Sequence, residues 1–162
     1  FQQHALLDEN SALDNVILGA QNRGRENPKG LAKRILEELE IGWAADLFPH
    51  ALSGGMKRRV GVARALATEA PLLIADEPTA GLDPATARLV MERIRARVRS
   101  KSMAAIISSH DIDQVVPHAN RILLLEKGQQ HFWGDEETMR HSQENAPFVP
   151  LTGLILQTGS PS

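Results

Sequence analysis

Residues 72–78, which read LLIADEP, decide the fold class of this chain. Four consecutive apolar residues without alternation are typical of a strand that is buried on both faces of a parallel sheet. The run ends at two adjacent carboxylates, Asp76 and Glu77. Because ligands of open parallel sheets bind outside the carboxyl ends of the strands, this end of the strand is a candidate functional site.

Two further apolar runs, residues 104–107 and 122–125, predict two more buried strands of the same kind. Between the first two runs, residues 84–99 carry apolar side chains at helical spacing. These side chains are Ala87, Val90, Met91, Ile94 and Val98. The alternation of strand, helix and strand predicts an α/β fold with a mostly parallel sheet flanked by helices.

Helices are also predicted on the N-terminal side of this core. Apolar spacing indicates helices over residues 12–19 and from 31 to about 42, with a polar loop over 21–29 between them. Ser53 is predicted to cap a further helix over 54–68. The tail from Gln143 onward is rich in proline and glycine, so we expect it to be loose or bound to a partner.

The composition limits the class of protein. The chain has 162 residues, 42% hydrophobic and 23% charged, as expected for a globular domain with one core. Its net charge of −2 provides no basic field for nucleic acid, and the absence of cysteine excludes a disulfide scaffold and a zinc–thiolate site. No apolar run approaches the roughly 18 residues of a membrane-spanning helix, so we expect a cytoplasmic location. The first residue is Phe1 rather than Met, and we expect the chain to begin inside a longer protein.

Three segments offer candidate chemistry. In the first, Asp76 has the hard oxygen ligands that Mg²⁺ accepts, and Glu77, on the opposite side of an extended chain, can face a water molecule. In the second, Ser53 opens a helix through two glycines, which suits a phosphate. In the third, His110 follows the second strand and can bind a phosphate oxygen or a water. Each has a structural alternative: a turn at the strand end, an ordinary helix cap and a polar strand cap.

The order of these segments resembles that of the ATP-binding-cassette (ABC) ATPases. The motifs are LSGGM at 52–56, LLIADEP at 72–78, AGLDP at 80–84 and SSHD at 108–111. The resemblance extends from Gln2 to about Gly134. It implies an ATPase with a P-loop NTPase-like core, an α-helical signature subdomain, and ATP and Mg²⁺ as cofactors.

The resemblance also implies roles for single residues. Asp76 corresponds to the Walker B aspartate that holds Mg²⁺, Glu77 to the general base, and His110 to the switch histidine. Gln2 corresponds to the Q-loop glutamine, which contacts Mg²⁺ and the attacking water.

The remaining motif residues are implied to act between two subunits. Ser53, Gly54 and Gly55 correspond to the signature that closes on ATP held by the other subunit. Asp83 corresponds to the D-loop aspartate, and from the residues alone it also caps the helix that begins at Pro84.

Domains and partners follow from the same resemblance. A helical subdomain over 1–51 would contact transmembrane permease subunits, 52–134 would form the catalytic core, and 135–162 a C-terminal extension. The implied assembly is a homodimer or paired nucleotide-binding subunits, peripheral on the cytoplasmic face of the inner membrane, without nucleic acid. A similarity to the Mla/Mce-type ATPases is carried by residues 1–7 with Leu13–Val16, by Met56–Arg59 and by the extension reaching Phe148, and it implies phospholipid transport.

One motif of the family is absent from the sequence. No G-x-x-x-x-G-K-[ST] loop, which binds phosphates through backbone N–H groups and a lysine, is present. We therefore expect an N-terminally truncated cassette that is inactive without this Walker A loop. The alternatives are a non-hydrolysing half-cassette that depends on a partner's loop, and a soluble ABC-type ATPase of nucleic-acid metabolism or translation.

Overall fold

A computed structural model of the chain describes residues 6–21, 26–143 and 152–158. Gln2, for which a site role was predicted, lies outside these residues. The chain divides into two compact units: Phe1–Ala70 with Gly81–Asp83, and Pro71–Ala80 with Pro84–Ser162. These units do not follow the boundaries at 51/52 and 134/135, which remain predictions.

The first unit is helical. Helix α1 spans Ala12–Gln21, α2 spans Pro28–Glu38 and α3 spans Gly54–Ala67, with 3₁₀ turns at Gly42–Ala44 and Pro49–Ala51. The predicted loop up to residue 29 was wrong at its end, because the Asn27 side chain accepts a hydrogen bond from the Gly30 N–H at 2.8 Å and starts α2 there. The helices enclose a core formed by Leu13, Val16, Ile35, Leu36, Leu39, Val60 and Leu66.

Gly19 permits the close approach of α1 to α3. A Cβ atom at this position would overlap the backbone carbonyl of Arg64, which cannot move as a flexible side chain could. We therefore expect Gly19→Ala to lower the free energy of unfolding by about 1–3 kcal/mol, as overpacking does. The matched control is Gly54→Ala, since a Cβ there has no atom within 4 Å. Equal midpoints of urea unfolding for the two variants would contradict this expectation.

Within the described residues, the second unit contains a five-stranded sheet in the order β1-β2-β5-β3-β4. In chain order, the unit consists of β1 (Leu72–Asp76), α4 (Pro84–Ser100), β2 (Ala104–Ser109), α5 (Ile112–Val115), a 3₁₀ turn (Val116–His118), β3 (Arg121–Glu126), β4 (Gln129–Gly134), α6 (Glu136–Gln143) and β5 (Thr152–Thr158). On one face of the sheet, side chains of α5, the 3₁₀ turn and α6 cover β3. This cluster comprises Ile112, Val116, Ile122, Leu124 and Met139.

The α/β class and the three predicted strands are confirmed, but the sheet is less parallel than expected. Strands β1 and β2 are parallel, and β3 runs in the same direction because β5 is antiparallel to both β2 and β3. Strand β4 must be antiparallel to β3, because the Lys127-Gly128 turn between them, with both φ angles positive, is too short for a crossover. Part of the tail that was predicted to be loose or bound to a partner forms β5.

The expectation that all three strands are buried on both faces was wrong for β1 and, at Leu125, which is 37% exposed, for the end of β3. Leu72 and Ile74 are 46% and 70% exposed, whereas Leu73 between them is buried. A continuous apolar run therefore does not distinguish a strand covered on both faces from one whose second face lies open in this chain.

Candidate functional site

The carboxyl ends of β1 and β2 meet because the two strands are parallel neighbours. Asp76 is in register with Ser108, and the Ser108 hydroxyl donates a short hydrogen bond to the Asp76 carboxylate. Asp76 is exposed at the end of its strand. An exposed carboxylate is thus oriented at the sheet edge where a ligand is expected.

Glu77 does not continue the extended chain. Its φ of 48° is in the left-handed region, which costs free energy for a residue with a Cβ and is typical of functional sites. The Glu77 N–H donates to the Ser108 carbonyl at 3.0 Å, and the Glu77 carbonyl accepts from Ala80 N–H at 3.2 Å. The expected placement of Asp76 and Glu77 on opposite sides of an extended strand is therefore replaced by a turn that brings Glu77 over the end of β2.

The Glu77 carboxylate is held by three groups from the end of β2. Its Oε1 accepts from the His110 backbone N–H at 3.0 Å and lies 2.7 Å from His110 Nδ1. Its Oε2 accepts from the Ser109 hydroxyl at 3.4 Å. The structure thus brings Asp76, Glu77 and His110 together, as the sequence predicted.

Sequence reasoning missed Ser108 and Ser109 as partners of the two carboxylates. Ser109 is 1% exposed, and its hydroxyl also accepts from the Asp111 N–H at 3.1 Å. Asp111 in turn caps α5 through the Gln114 N–H at 3.3 Å. The available signal was the pairing of two hydroxyls at the end of one predicted strand with two carboxylates at the end of its neighbour.

The ion pair with Glu77 changes the titration of His110. The hydrogen bond that the His110 ring donates to Glu77, together with the negative charge of Glu77, raises the pKa of His110 above the ordinary value. With Nδ1 directed at Glu77, the other ring nitrogen, Nε2, is left to contact a ligand, and protonation makes it a donor.

We expect an NMR titration of the His110 ring to give a pKa above the ordinary value of about 6.5. Glu77→Gln is expected to lower this pKa, because the amide carries no charge. A folded-state pKa that is raised means that the pair stabilises the fold below the unfolded-state pKa, and this contribution is lost as pH rises through the folded-state pKa. The matched control is Glu136→Gln, which removes a carboxylate paired with Arg140 on α6. An equal effect of both substitutions would contradict the assigned contact.

The oxygen donors at this edge fit Mg²⁺. The Asp76 carboxylate and the adjoining Ser108 hydroxyl are hard ligands of the kind Mg²⁺ prefers. Within the described part of the chain, no group of three or more His, Cys, Asp or Glu side chains could hold a metal ion. This donor set suits Mg²⁺, which commonly binds one or two carboxylates together with substrate phosphates.

The signature segment lies in the first unit. The Ser53 hydroxyl caps α3 by accepting from the Met56 N–H at 3.2 Å, which confirms the predicted cap. A Cβ at Gly54 would have no atom within 4 Å, whereas a Cβ at Gly55 would lie 3.1 Å from Leu82 Cδ2. Ser53 and Gly54 are both exposed at the helix N-terminus, where free N–H groups favour an anion. Asp83 directly precedes α4, and its capping role remains a prediction.

Comparison with known proteins identifies the family. Residues 1–80 match the family model of the ABC transporters. These residues belong to an ABC transporter ATP-binding domain. The chain is 38% identical over 130 residues to the lipoprotein-releasing system ATP-binding protein LolD 2 of Caulobacter vibrioides, covering 79% of this chain and 57% of the relative.

A second relative and a solved structure agree with this assignment. The phosphonates import ATP-binding protein PhnC 1 of Natronomonas pharaonis is 42% identical over 138 residues, covering 79% of this chain and 59% of the relative. The dimeric ATP-binding cassette MJ0796, bound to ADP and Pi, superposes with a TM-score of 0.73 at 31% identity, covering 83% of this chain and 60% of that one. This ABC chain therefore spans about three fifths of the length of each.

None of the helices in the described residues is long and apolar enough to cross a membrane.

Proposed function

We propose that this ABC chain carries the hydrolytic part of an ATP-binding subunit that energises a membrane transporter. The observation that supports this function best is the Glu77 carboxylate, held by His110 and Ser109 beside the Asp76 carboxylate at one sheet edge. A carboxylate fixed in this way can orient a water molecule and accept its proton.

The residues of this chain divide the work of phosphoryl transfer, which depends on positioning and charge neutralisation rather than covalent chemistry. Glu77 acts as general base on the attacking water. His110 holds Glu77 through Nδ1 and offers Nε2 to the γ-phosphate. Ser108 fixes the Asp76 carboxylate.

The cofactors proposed are ATP and Mg²⁺. Asp76, together with Gln2 as predicted from the sequence, would hold Mg²⁺, which supplies neutralisation of phosphate charge when bound. Ser53, Gly54 and Gly55 offer the N-terminus of α3 to the γ-phosphate of ATP. Asp83 is proposed to link the two sites of a dimer.

The proposed partners are a second nucleotide-binding subunit and transmembrane permease subunits. The dimeric state of MJ0796 supports the first. For the second, unit 1 exposes two aromatic side chains, Trp43 at 73% and Phe48 at 42%, in the segment predicted to contact a permease. Attachment would be peripheral, on the cytoplasmic face of the membrane, and no nucleic-acid partner is proposed.

The transported substrate that we propose is a phospholipid. Phospholipid transport rests on the similarity of short segments such as Leu13–Val16 and Met56–Arg59 to lipid-transport ATPases. The two relatives are named for lipoprotein release and phosphonate import, so their names do not favour phospholipid.

The test is ATP hydrolysis by a completed cassette. We define this as the chain joined to the portion of the LolD 2 relative that the chain does not match. We expect Mg²⁺-dependent phosphate release from the completed cassette and negligible release from the 162-residue chain alone, because the latter has no glycine-rich lysine loop. Turnover by the chain alone, or none by a folded completed cassette that binds ATP, would contradict the proposal.

A further inference from the structure

Residues 109–111 join the end of β2 to the start of α5, and we call them the 109–111 turn. Two consecutive residues of this turn supply three contacts to the Glu77 carboxylate, namely the Ser109 hydroxyl, the His110 backbone N–H and the His110 ring. Because two neighbouring backbone positions carry these contacts, a change in the conformation of the turn moves all three together. The orientation of the Glu77 carboxylate therefore depends on the groups that fix the 109–111 turn.

The side chain of Asp111 fixes this turn to helix α5. Its Oδ1 accepts from the Gln114 backbone N–H at 3.3 Å, and its Oδ2 accepts from the Gln114 side-chain Nε2 at 2.7 Å. Helix α5 has only four residues, too few to be stable without a cap and packing. Ile112 and Val115 supply the packing because both are buried. Asp111 thus attaches the turn to a helix that the core holds in place.

The backbone of Asp111 contacts the same turn. Its N–H donates to the Ser109 hydroxyl oxygen at 3.1 Å. A hydroxyl group has one proton, and this arrangement leaves that proton for Glu77 Oε2, 3.4 Å away. Both hydrogen bonds point toward the carboxylate, so each strengthens the other. Asp111 is therefore connected to Glu77 through Ser109 by two consecutive hydrogen bonds.

We propose that Asp111 is a positioning residue for ATP hydrolysis, whose side chain holds the 109–111 turn in the conformation that orients Glu77 toward the attacking water. Gln114 belongs to the same device, since it donates to both oxygens of the Asp111 carboxylate. The inference deepens the proposed function and rests on it, because Glu77 is proposed as the general base. A cap with a structural role alone would change stability and leave the rate of the chemical step as it is.

The second unit offers a matched control in Asp135, which caps α6 in the same manner. Its Oδ1 accepts from the Thr138 backbone N–H at 2.9 Å and from the Thr138 hydroxyl at 2.7 Å. As with Asp111, one carboxylate receives the backbone and the side chain of the residue three positions further along. Loss of either cap is expected to lower stability by a similar amount. A difference in turnover between the two substitutions is therefore specific to the place of Asp111 beside the site.

The main test is steady-state ATP hydrolysis by the completed cassette. Asp111→Ala is expected to lower kcat by about 10–10²-fold, because a misplacement of about 1 Å can cost about 10²-fold in rate. The KM for ATP should change little, as expected when an interaction of the chemical step is lost. Asp111→Asn should restore most of kcat, because asparagine caps helices as well as aspartate does. Asp135→Ala should keep the parental kcat.

A second variant and a second measurement keep the test decisive. Gln114→Ala retains the backbone N–H and loses the 2.7 Å contact, so it should lower kcat by a smaller factor if Asp111→Ala does not fold. In the 162-residue chain, NMR measures the exchange of the His110 amide proton with solvent. The hydrogen bond to Glu77 slows this exchange, so Asp111→Ala should accelerate it several-fold and Asp135→Ala should not.

Four results would overturn the inference while the proposed function stands. They are unchanged His110 exchange in Asp111→Ala, an equal loss of kcat in Asp111→Ala and Asp135→Ala, no recovery of kcat in Asp111→Asn, and a parental kcat in Asp111→Ala while Glu77→Gln is slow. Parental turnover by Glu77→Gln would instead contradict the proposed function, and the inference with it.

Discussion

Replacement of Glu77 by Gln in the completed cassette is expected to lower ATP turnover by roughly 10²–10⁴-fold, the usual contribution of a general base. The amide has nearly the shape of the carboxylate, so its oxygen can still accept the hydrogen bond from the His110 N–H, and its NH₂ group, in the place of Oε2, can donate to the Ser109 hydroxyl. It cannot take a proton from water, and it removes a negative charge beside the phosphate. ATP binding should therefore persist or become tighter while hydrolysis slows by this factor.

Two measurements separate this outcome from simple misfolding. Equilibrium binding of ATP should be retained by Glu77→Gln, and the variant should accumulate in an ATP-bound dimer. Glu136→Gln is the matched control, because its exposed pair with Arg140 lies on α6 and contributes little to stability. Turnover of Glu77→Gln at the rate of the control would show that another group is the base.

The part of the site that could be predicted from the sequence is the part that the strand order determines. Apolar runs before Asp76 and before His110 predicted two parallel strands, and parallel neighbours bring their carboxyl ends to one edge. The roles of Ser108 and Ser109 depend on the register of the two strands and on the left-handed turn at Glu77. Neither is visible in a hydrophobic pattern, so the sequence shows that hydroxyls and carboxylates end neighbouring strands but not which of them pair.

Strand β4 and the exposure of β1 were not predicted from the sequence, because both depend on contacts outside the local pattern. Strand β4 reads QQHFWG, with neither an apolar run nor strict alternation, and it pairs with β3 because of the two-residue turn at Lys127-Gly128. Leu72 and Ile74 have the composition of a strand covered on both faces. Their exposure depends on which other segments pack on the sheet, which the local sequence does not contain.

The second large effect on ATP turnover is expected from substitution of Ser53, which is proposed to contact the nucleotide. Ser53 and Asp76 are in one chain, yet the family resemblance predicts that they serve different ATP molecules. We expect completed cassettes with Ser53→Arg, which places bulk and a cation at the N-terminus of α3, to be nearly inactive as homodimers. Asp76→Ala homodimers, which lack the proposed Mg²⁺ ligand, should be nearly inactive as well.

Mixed dimers of these two variants should recover activity toward half of the parental value. If Ser53 completes the partner's site, both lesions fall on one site and the other site is intact. If Ser53 acts on the site of its own chain, each site carries one lesion and no activity returns. The measurement is phosphate release by dimers purified through two different affinity tags, one on each subunit.

The matched control places both substitutions in one subunit and pairs it with an unmodified one. For a shared site, this arrangement damages each site once and should be nearly inactive; for a self-contained site, it leaves one site intact and should retain half of the activity. ATP occupancy is measured in both mixed dimers, because strict coupling of the two sites would stop turnover even where one site is intact. One fully occupied site in the Ser53→Arg/Asp76→Ala dimer then supports the shared arrangement, whereas impaired binding at both sites of that dimer contradicts it.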